Sequence, residues 1–124
     1  MSAEPEPICI VDDDVSVRNS IEQLLDSDGL KAQSFEEADD FLTYARSHVV
    51  PLVVLDVWMP KISGLEVQKQ LQVVSPNTKV IVVTAREVLA IRVAAMEGAF
   101  AFLMKPFDDE AFLSLVHQAL GLAA

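Results

Sequence analysis

Five short apolar runs recur along the chain, separated by stretches with helical spacing, and this alternation leaves few folds open. Pro7-Ile8-Cys9-Ile10-Val11 ends at three aspartates, Asp12, Asp13 and Asp14. Pro51-Leu52-Val53-Val54-Leu55 ends at Asp56, and Lys79-Val80-Ile81-Val82-Val83 ends at Thr84. Phe100 to Met104 is a further run, followed by Lys105, and Leu30 to Phe35 is a weaker one. Near-continuous Val, Ile and Leu mark strands covered on both faces, as in a parallel sheet between helices. The intervening segments supply those helices. Val15, Val17, Ile21, Leu24 and Leu25 repeat at helical spacing, with Asp14 as N-cap and Gly29 at the end. Ser34 and Glu37 have capping-box spacing ahead of Ala38, Phe41, Leu42 and Ala45. Leu65, Leu71 and Val74 continue a third helix after Gly64, Glu87 to Glu97 reads as a fourth ended by Gly98, and Asp108 opens a fifth through Ala111, Leu115 and Leu120. The expectation is a doubly wound α/β domain, a five-stranded parallel sheet flanked by five helices.

At 124 residues the chain suits one domain with one sizeable core. We expect a tail over residues 1–7, a domain over 8–122, and no output domain, since the chain stops after the fifth helix. A net charge of −10 argues against direct nucleic-acid binding. No apolar run approaches a membrane span, and the start lacks the pattern of a signal peptide, which predicts a cytoplasmic protein with no membrane contact. Cys9, the single cysteine, reads as a small buried hydrophobe. His48 and His117 have no acidic or cysteine partner nearby in sequence and read as surface helix residues.

The informative acids are those at strand ends. In open α/β sheets ligands bind beyond the carboxyl ends of the strands, at the switch point. With strand order 2-1-3-4-5, Asp12 and Asp13 face Asp56 across that point. Clustered carboxylates repel one another, and a hard divalent cation with oxygen ligands, Mg²⁺ above all, removes the cost. Strand-end aspartates also serve as helix caps and turn formers, which accounts for Asp14 but poorly for the other three. Thr84 and Lys105 finish neighbouring strands, and a hydroxyl and an ammonium facing metal-bound carboxylates are the parts that hold a transferred phosphoryl group.

The ordered set Val11-Asp12-Asp13-Asp14 with Arg18, Leu55-Asp56-Val57-Trp58-Met59-Pro60 with Gly64, Val83-Thr84-Ala85, Gly98-Ala99 and Lys105-Pro106-Phe107 resembles the receiver domain of bacterial two-component response regulators, over nearly the whole chain. The resemblance implies a flavodoxin-like sheet and a phosphorylation-dependent switch. It implies that Asp56 is the phosphoacceptor, fed by a sensor histidine kinase or a small phosphodonor. Asp13 and Asp56 would ligate Mg²⁺ directly, Asp12 through water, and the backbone carbonyl of Trp58 would complete the protein ligands. Thr84 and Lys105 would bind phosphoryl oxygens, and the Lys105–Pro106 bond would be cis. Such a domain is a signalling element rather than an enzyme in its own right, although it supports its own Mg-dependent phosphorylation and slow dephosphorylation. The Trp58 ring would either shield the phosphoryl group from water or cap the loop. Arg86 reads as solvated rather than as a phosphate ligand.

An aspartate-nucleophile phosphatase would need a second Asp two residues after the first, where Trp58 stands. A degenerate, binding-only receiver would lack one of the acidic, Thr or Lys positions. A flavin phosphate would be repelled by the acids at the switch point. The resemblance also makes Thr84 and Phe102 the switch pair and implies a changed surface on the fourth helix and fifth strand. The helix from Glu87 to Glu97 can bury Ile91, Ala94 and Ala95, leaving Leu89, Val93 and Met96 on another stripe, while Phe102 and Met104 either pack internally or join an exposed patch. Phosphorylation is therefore expected to promote a homodimer or the binding of an output partner. Sedimentation with and without beryllofluoride, on wild type and Val93→Glu, checks this; a Val93→Glu protein that dimerises as well as wild type would put the interface elsewhere.

Overall fold

The computed structural model describes residues 6–59, 63–85 and 98–122. Along them run β1 (Ile8–Val11), α1 (Val15–Ser27), β2 (Ala32–Phe35), α2 (Ala38–Ser47), β3 (Leu52–Asp56), α3 (Gly64–Val74), β4 (Lys79–Thr84), β5 (Ala101–Met104) and α4 (Asp109–Leu120). The strands form one parallel sheet in the order β2-β1-β3-β4-β5, as expected. Four helices are seen among the described residues, not five. The one expected over Glu87 to Glu97, with Arg86 before it, lies outside them, as does Pro60. No helix among the described residues is long and apolar enough to cross a membrane.

Alternate residues of a strand point to opposite faces, so an unbroken apolar strand requires a core on each side. One core joins Cys9, Val11, Val53, Leu55, Val80 and Val82 to Phe41 and Leu42 of α2 and to Val67 and Leu71 of α3. The other joins Ile8, Ile10, Leu52, Val54, Ile81 and Val83 to Ile21 and Leu25 of α1 and to Phe112 and Val116 of α4. Each such side chain contributes about 1.5–3 kcal/mol by leaving water. Two layers of them make β1, β3 and β4 a rigid base for the residues at their ends.

Helix ends show where local chemistry agrees with the pattern and where it does not. Asp14 caps α1, accepting from the amides of Ser16 and Val17. Asp108 caps α4 through Ala111. Past α1, Gly29 adopts a positive φ of 78° and the Leu30 amide donates to the Leu25 carbonyl at 2.9 Å. That closure is the usual glycine stop, and it takes Leu30 into the cap, so β2 begins only at Ala32. The expected capping box at α2 does not form. Glu37 is the N-cap, with no side-chain cap bond, and Ser34 lies inside β2 opposite Ile10, where its hydroxyl donates to the Glu22 carboxylate of α1.

The two histidines stand away from the strand ends. His48 stacks on Tyr44 with ring centroids 4.0 Å apart. His117 of α4 meets Asp28, 89 residues away in sequence, at 2.5 Å, an acid partner that proximity along the chain did not disclose. A half-exposed pair of this kind contributes no more than about 1 kcal/mol.

Gly64 opens α3 directly beneath β3. A Cβ there would lie 2.4 Å from the Asp56 carbonyl oxygen and 2.9 Å from the Val57 Cα. Both are backbone atoms and cannot swing aside. Gly64→Ala is expected to destabilise the fold by about 2 kcal/mol, within the usual range for overpacking. Urea denaturation of the two proteins checks it, and an alanine variant of wild-type stability would contradict the close approach.

Candidate functional site

Adjacent parallel strands in register carry their terminal residues to the same level. β1 pairs with β3 through Val11 and Leu55, so the next residues along, Asp12 and Asp56, arrive side by side. Asp12 is 1 % exposed and Asp56 5 %, while Asp13 is exposed. One carboxylate oxygen from each of Asp12, Asp13 and Asp56 lies within 4.8 Å of the other two.

Lys105 answers this charge. Its amide donates to the Thr84 carbonyl at 2.7 Å, which holds the residue after β5 beside the end of β4. Its ammonium then reaches Asp12 Oδ2 at 2.7 Å and stands 3.7 Å from Asp56 Oδ2. The Lys105–Pro106 peptide is cis. Thr84 is fully buried and ends β4, the strand next to β3. The turn after β1 is held by its own side chains. Asp12 Oδ1 accepts from the Asp14 amide at 2.9 Å, and Arg18 of α1 donates from Nη1 to the Asp12 carbonyl at 2.6 Å. On the β3 side, the Trp58 amide donates to Asp56 Oδ1 at 3.3 Å, and the Val57 amide to the Val83 carbonyl at 3.2 Å. Trp58 is 39 % exposed.

Burial, and then the neighbouring Asp12, push the Asp56 carboxyl up to about 6; Lys105 and the Trp58 amide pull it down, and Asp13 adds to the rise. At neutral pH it is still mostly ionised, and more basic than a free carboxylate. All three acids offer hard oxygen donors, which suits Mg²⁺ and not a thiophilic metal.

A family model described as the response regulator receiver domain matches residues 8–117. The chain belongs to this receiver family. It is 41 % identical to the transcriptional regulatory protein FixJ of Azorhizobium caulinodans, over 98 % of this chain and 58 % of FixJ. This receiver therefore spans little more than half the length of that relative. Among solved structures, a CheY-like receiver domain from Methanospirillum hungatei superposes with a TM-score of 0.90 at 27 % identity, covering 95 % of each chain. The beryllofluoride-activated dimer of the NtrC4 receiver domain does so with a TM-score of 0.88 at 30 % identity, covering 93 % of this chain and 96 % of the other.

In this receiver the structure brings Asp12, Asp13, Asp56 and Lys105 together, and puts Thr84 at the adjoining strand end. Phe102 lies in β5 opposite Val82, half-buried against the core that includes α2 and α3. Phe100 is 40 % exposed and Met104 36 %, and the Lys79 ammonium sits 5.5 Å from the Phe100 ring centre. Leu89, Val93 and Met96 lie outside the described residues. Arg18 and Gly64 stand in the motif set, but their contacts, the Arg18 bond to the Asp12 carbonyl and the fit of Gly64 beneath Asp56, were not assigned from the sequence.

The raised Asp56 carboxyl carries a stability cost with a definite sign. The folded protein binds the Asp56 proton more readily than the unfolded chain does, whose carboxyl lies near 3.8. Stability from this group is therefore full below about pH 4 and is lost as pH rises through about 6. At about 1.4 kcal/mol per tenfold change in proton affinity, the penalty approaches about 3 kcal/mol above neutrality. In Mg²⁺-free buffer near pH 8, Asp56→Asn is expected to be more stable than wild type by up to this amount, and the gap should shrink by about pH 5. Urea midpoints at the two pH values check it; an asparagine variant less stable at the higher pH would contradict the cost of burying this charge beside Asp12.

Proposed function

We propose that this receiver is a phosphorylation-dependent switch in which a carboxylate oxygen of Asp56 accepts a phosphoryl group from the phosphohistidine of a sensor kinase. The observation that carries the reading is the convergence on Asp56 of two further carboxylates and one ammonium, at the carboxyl end of a buried parallel sheet. In the transfer an Asp56 oxygen bonds to phosphorus as the P–N bond breaks, and the departing imidazole keeps the electron pair and takes up a proton. Transfer of this kind needs positioning and charge neutralisation more than covalent help.

Each residue then has a task. Asp56 supplies an ionised, unusually basic oxygen. Lys105, 3.7 Å away, is close enough to take a phosphoryl oxygen by exchanging its contact with Asp12. Thr84 offers its hydroxyl to another oxygen. Asp13 and Asp56, with the Trp58 carbonyl and with Asp12 through water, would hold a Mg²⁺ ion, which supplies neutralising charge to the phosphoryl oxygens when bound. Thr84 and Phe102 would relay the modification to the surface formed by β5 and the 87–97 segment, changing self-association or the binding of an output partner. The activated state of the NtrC4 receiver, described as a dimer, supports the first outcome. Control of transcription is the output that similarity to FixJ supports; the domain itself, at net charge −10, would not bind DNA.

Incubation with acetyl phosphate and Mg²⁺, followed by intact mass, is the test. Wild type should gain a single acid-labile phosphate, and none once EDTA is added. Asp56→Asn should gain none; stoichiometric phosphate on that variant would move the acceptor elsewhere.

A further inference from the structure

Asp12 and Asp13 belong to neither β1 nor α1. They lie on the turn between them, and a turn carrying adjacent like charges tends to open. Asp12 is fixed at its side chain, by the Asp14 amide on Oδ1 and by Lys105 on Oδ2. Asp13 is exposed, so its direction depends on the backbone of the turn. That backbone is tied at its exit by the cap: Asp14 accepts from Ser16 and Val17, and the Arg18 amide donates to the Asp14 carbonyl at 3.0 Å. At its entry the Asp12 amide donates to the Phe35 carbonyl at 3.3 Å, and the Arg18 side chain adds a shorter tie, its Nη1 meeting the Asp12 carbonyl at 2.6 Å. Arg18 thus bonds to both ends of the turn, by its amide and by its guanidinium. A charged donor at this distance makes a strong bond to a carbonyl, and the planar guanidinium gives it direction.

We propose that Arg18 is a positioning residue for the divalent cation: it fastens the turn from Asp12 to Asp14 so that the carboxylates of Asp12 and Asp13 are presented together to the metal. This rests on the reading above for the metal, but not on Asp56 being the acceptor. Groups that orient metal ligands without touching the metal commonly change affinity about 10–100-fold when removed.

The test is Mg²⁺ titration followed by fluorescence of Trp58, the only tryptophan, on wild type, Arg18→Met and Arg18→Lys. Methionine keeps the apolar stem and loses the donor; lysine restores a charged donor on a similar stem. Arg18→Met should bind Mg²⁺ at least about tenfold more weakly, with lysine recovering a good part of the loss. Phosphorylation of Arg18→Met by acetyl phosphate should be depressed at low Mg²⁺, with the deficit closing as Mg²⁺ is raised. A methionine variant that melts earlier but binds Mg²⁺ like wild type would reduce Arg18 to a structural residue and overturn the proposal, as would a lysine variant no better than methionine. Wild type that binds Mg²⁺ yet takes no phosphate would refute the acceptor reading alone.

Discussion

Pairing of β1 with β3 forces Asp12 and Asp56 together where neither can turn away into water. Two unit charges about 4 Å apart at an effective dielectric near 20 repel by about 4 kcal/mol. On an open surface the side chains would swing apart at almost no cost. Here Asp12 is 1 % exposed and Asp56 5 %, and both strands are clamped between two apolar layers. The hydrophobic cores therefore do more than hold the fold. They maintain an electrostatic strain that a chain with a softer sheet would relax.

The rest of the site can be understood as responses to that strain. Lys105 offsets part of it, and it arrives from the far side of β4, fixed through the Thr84 carbonyl. One ammonium does not neutralise three carboxylates, so the cluster retains an appetite for further positive charge. This is the property a phosphorylation switch needs. In the proposed switch a cation would meet that demand and offset the negative charge a phosphoryl group brings, in a site whose ordering has been met in advance by folding. The Gly64 contact belongs to the same logic. It lets α3 start against the Asp56 backbone, and with the Gly64 amide donating to the Val57 carbonyl at 3.0 Å it pins the residues just beyond Asp56.

What could be read from the sequence was whatever burial or charge imposes on residue type. β1, β3 and β4 were legible because a strand covered on both faces tolerates few polar residues. The acids were legible because helix capping accounts for Asp14 alone. Contacts decided by three-dimensional packing left no such trace. Ser34 and Glu37 had the spacing of a capping box, but pairing of β2 with β1 placed Ser34 in the sheet, next to Glu22. Leu30 looked like strand and was taken by the glycine closure of α1. Arg18 entered only as a member of the resembling motif set, with no contact assigned, because a bond to a backbone carbonyl six residues back selects no partner side chain. The separation of 89 positions between Asp28 and His117 hid that pair for the same reason.

Three carboxylates share the site, and their surroundings bear on which one would act as the nucleophile. Asp12 has one oxygen on the Asp14 amide and the other on Lys105 at 2.7 Å, and it is the least exposed of the three. Both of its oxygens are thus engaged by partners within the protein before any phosphoryl group arrives. Asp13 is exposed and stands on the turn between β1 and α1, held by neither strand nor helix. Asp56 combines the needed properties. Burial and the charge of Asp12 raise its basicity, its Oδ1 faces the Trp58 amide, and its Oδ2 is 3.7 Å from Lys105, farther than the Asp12 contact. That looser approach leaves Oδ2 the less committed oxygen, with an ammonium already beside it to meet the charge that arrives.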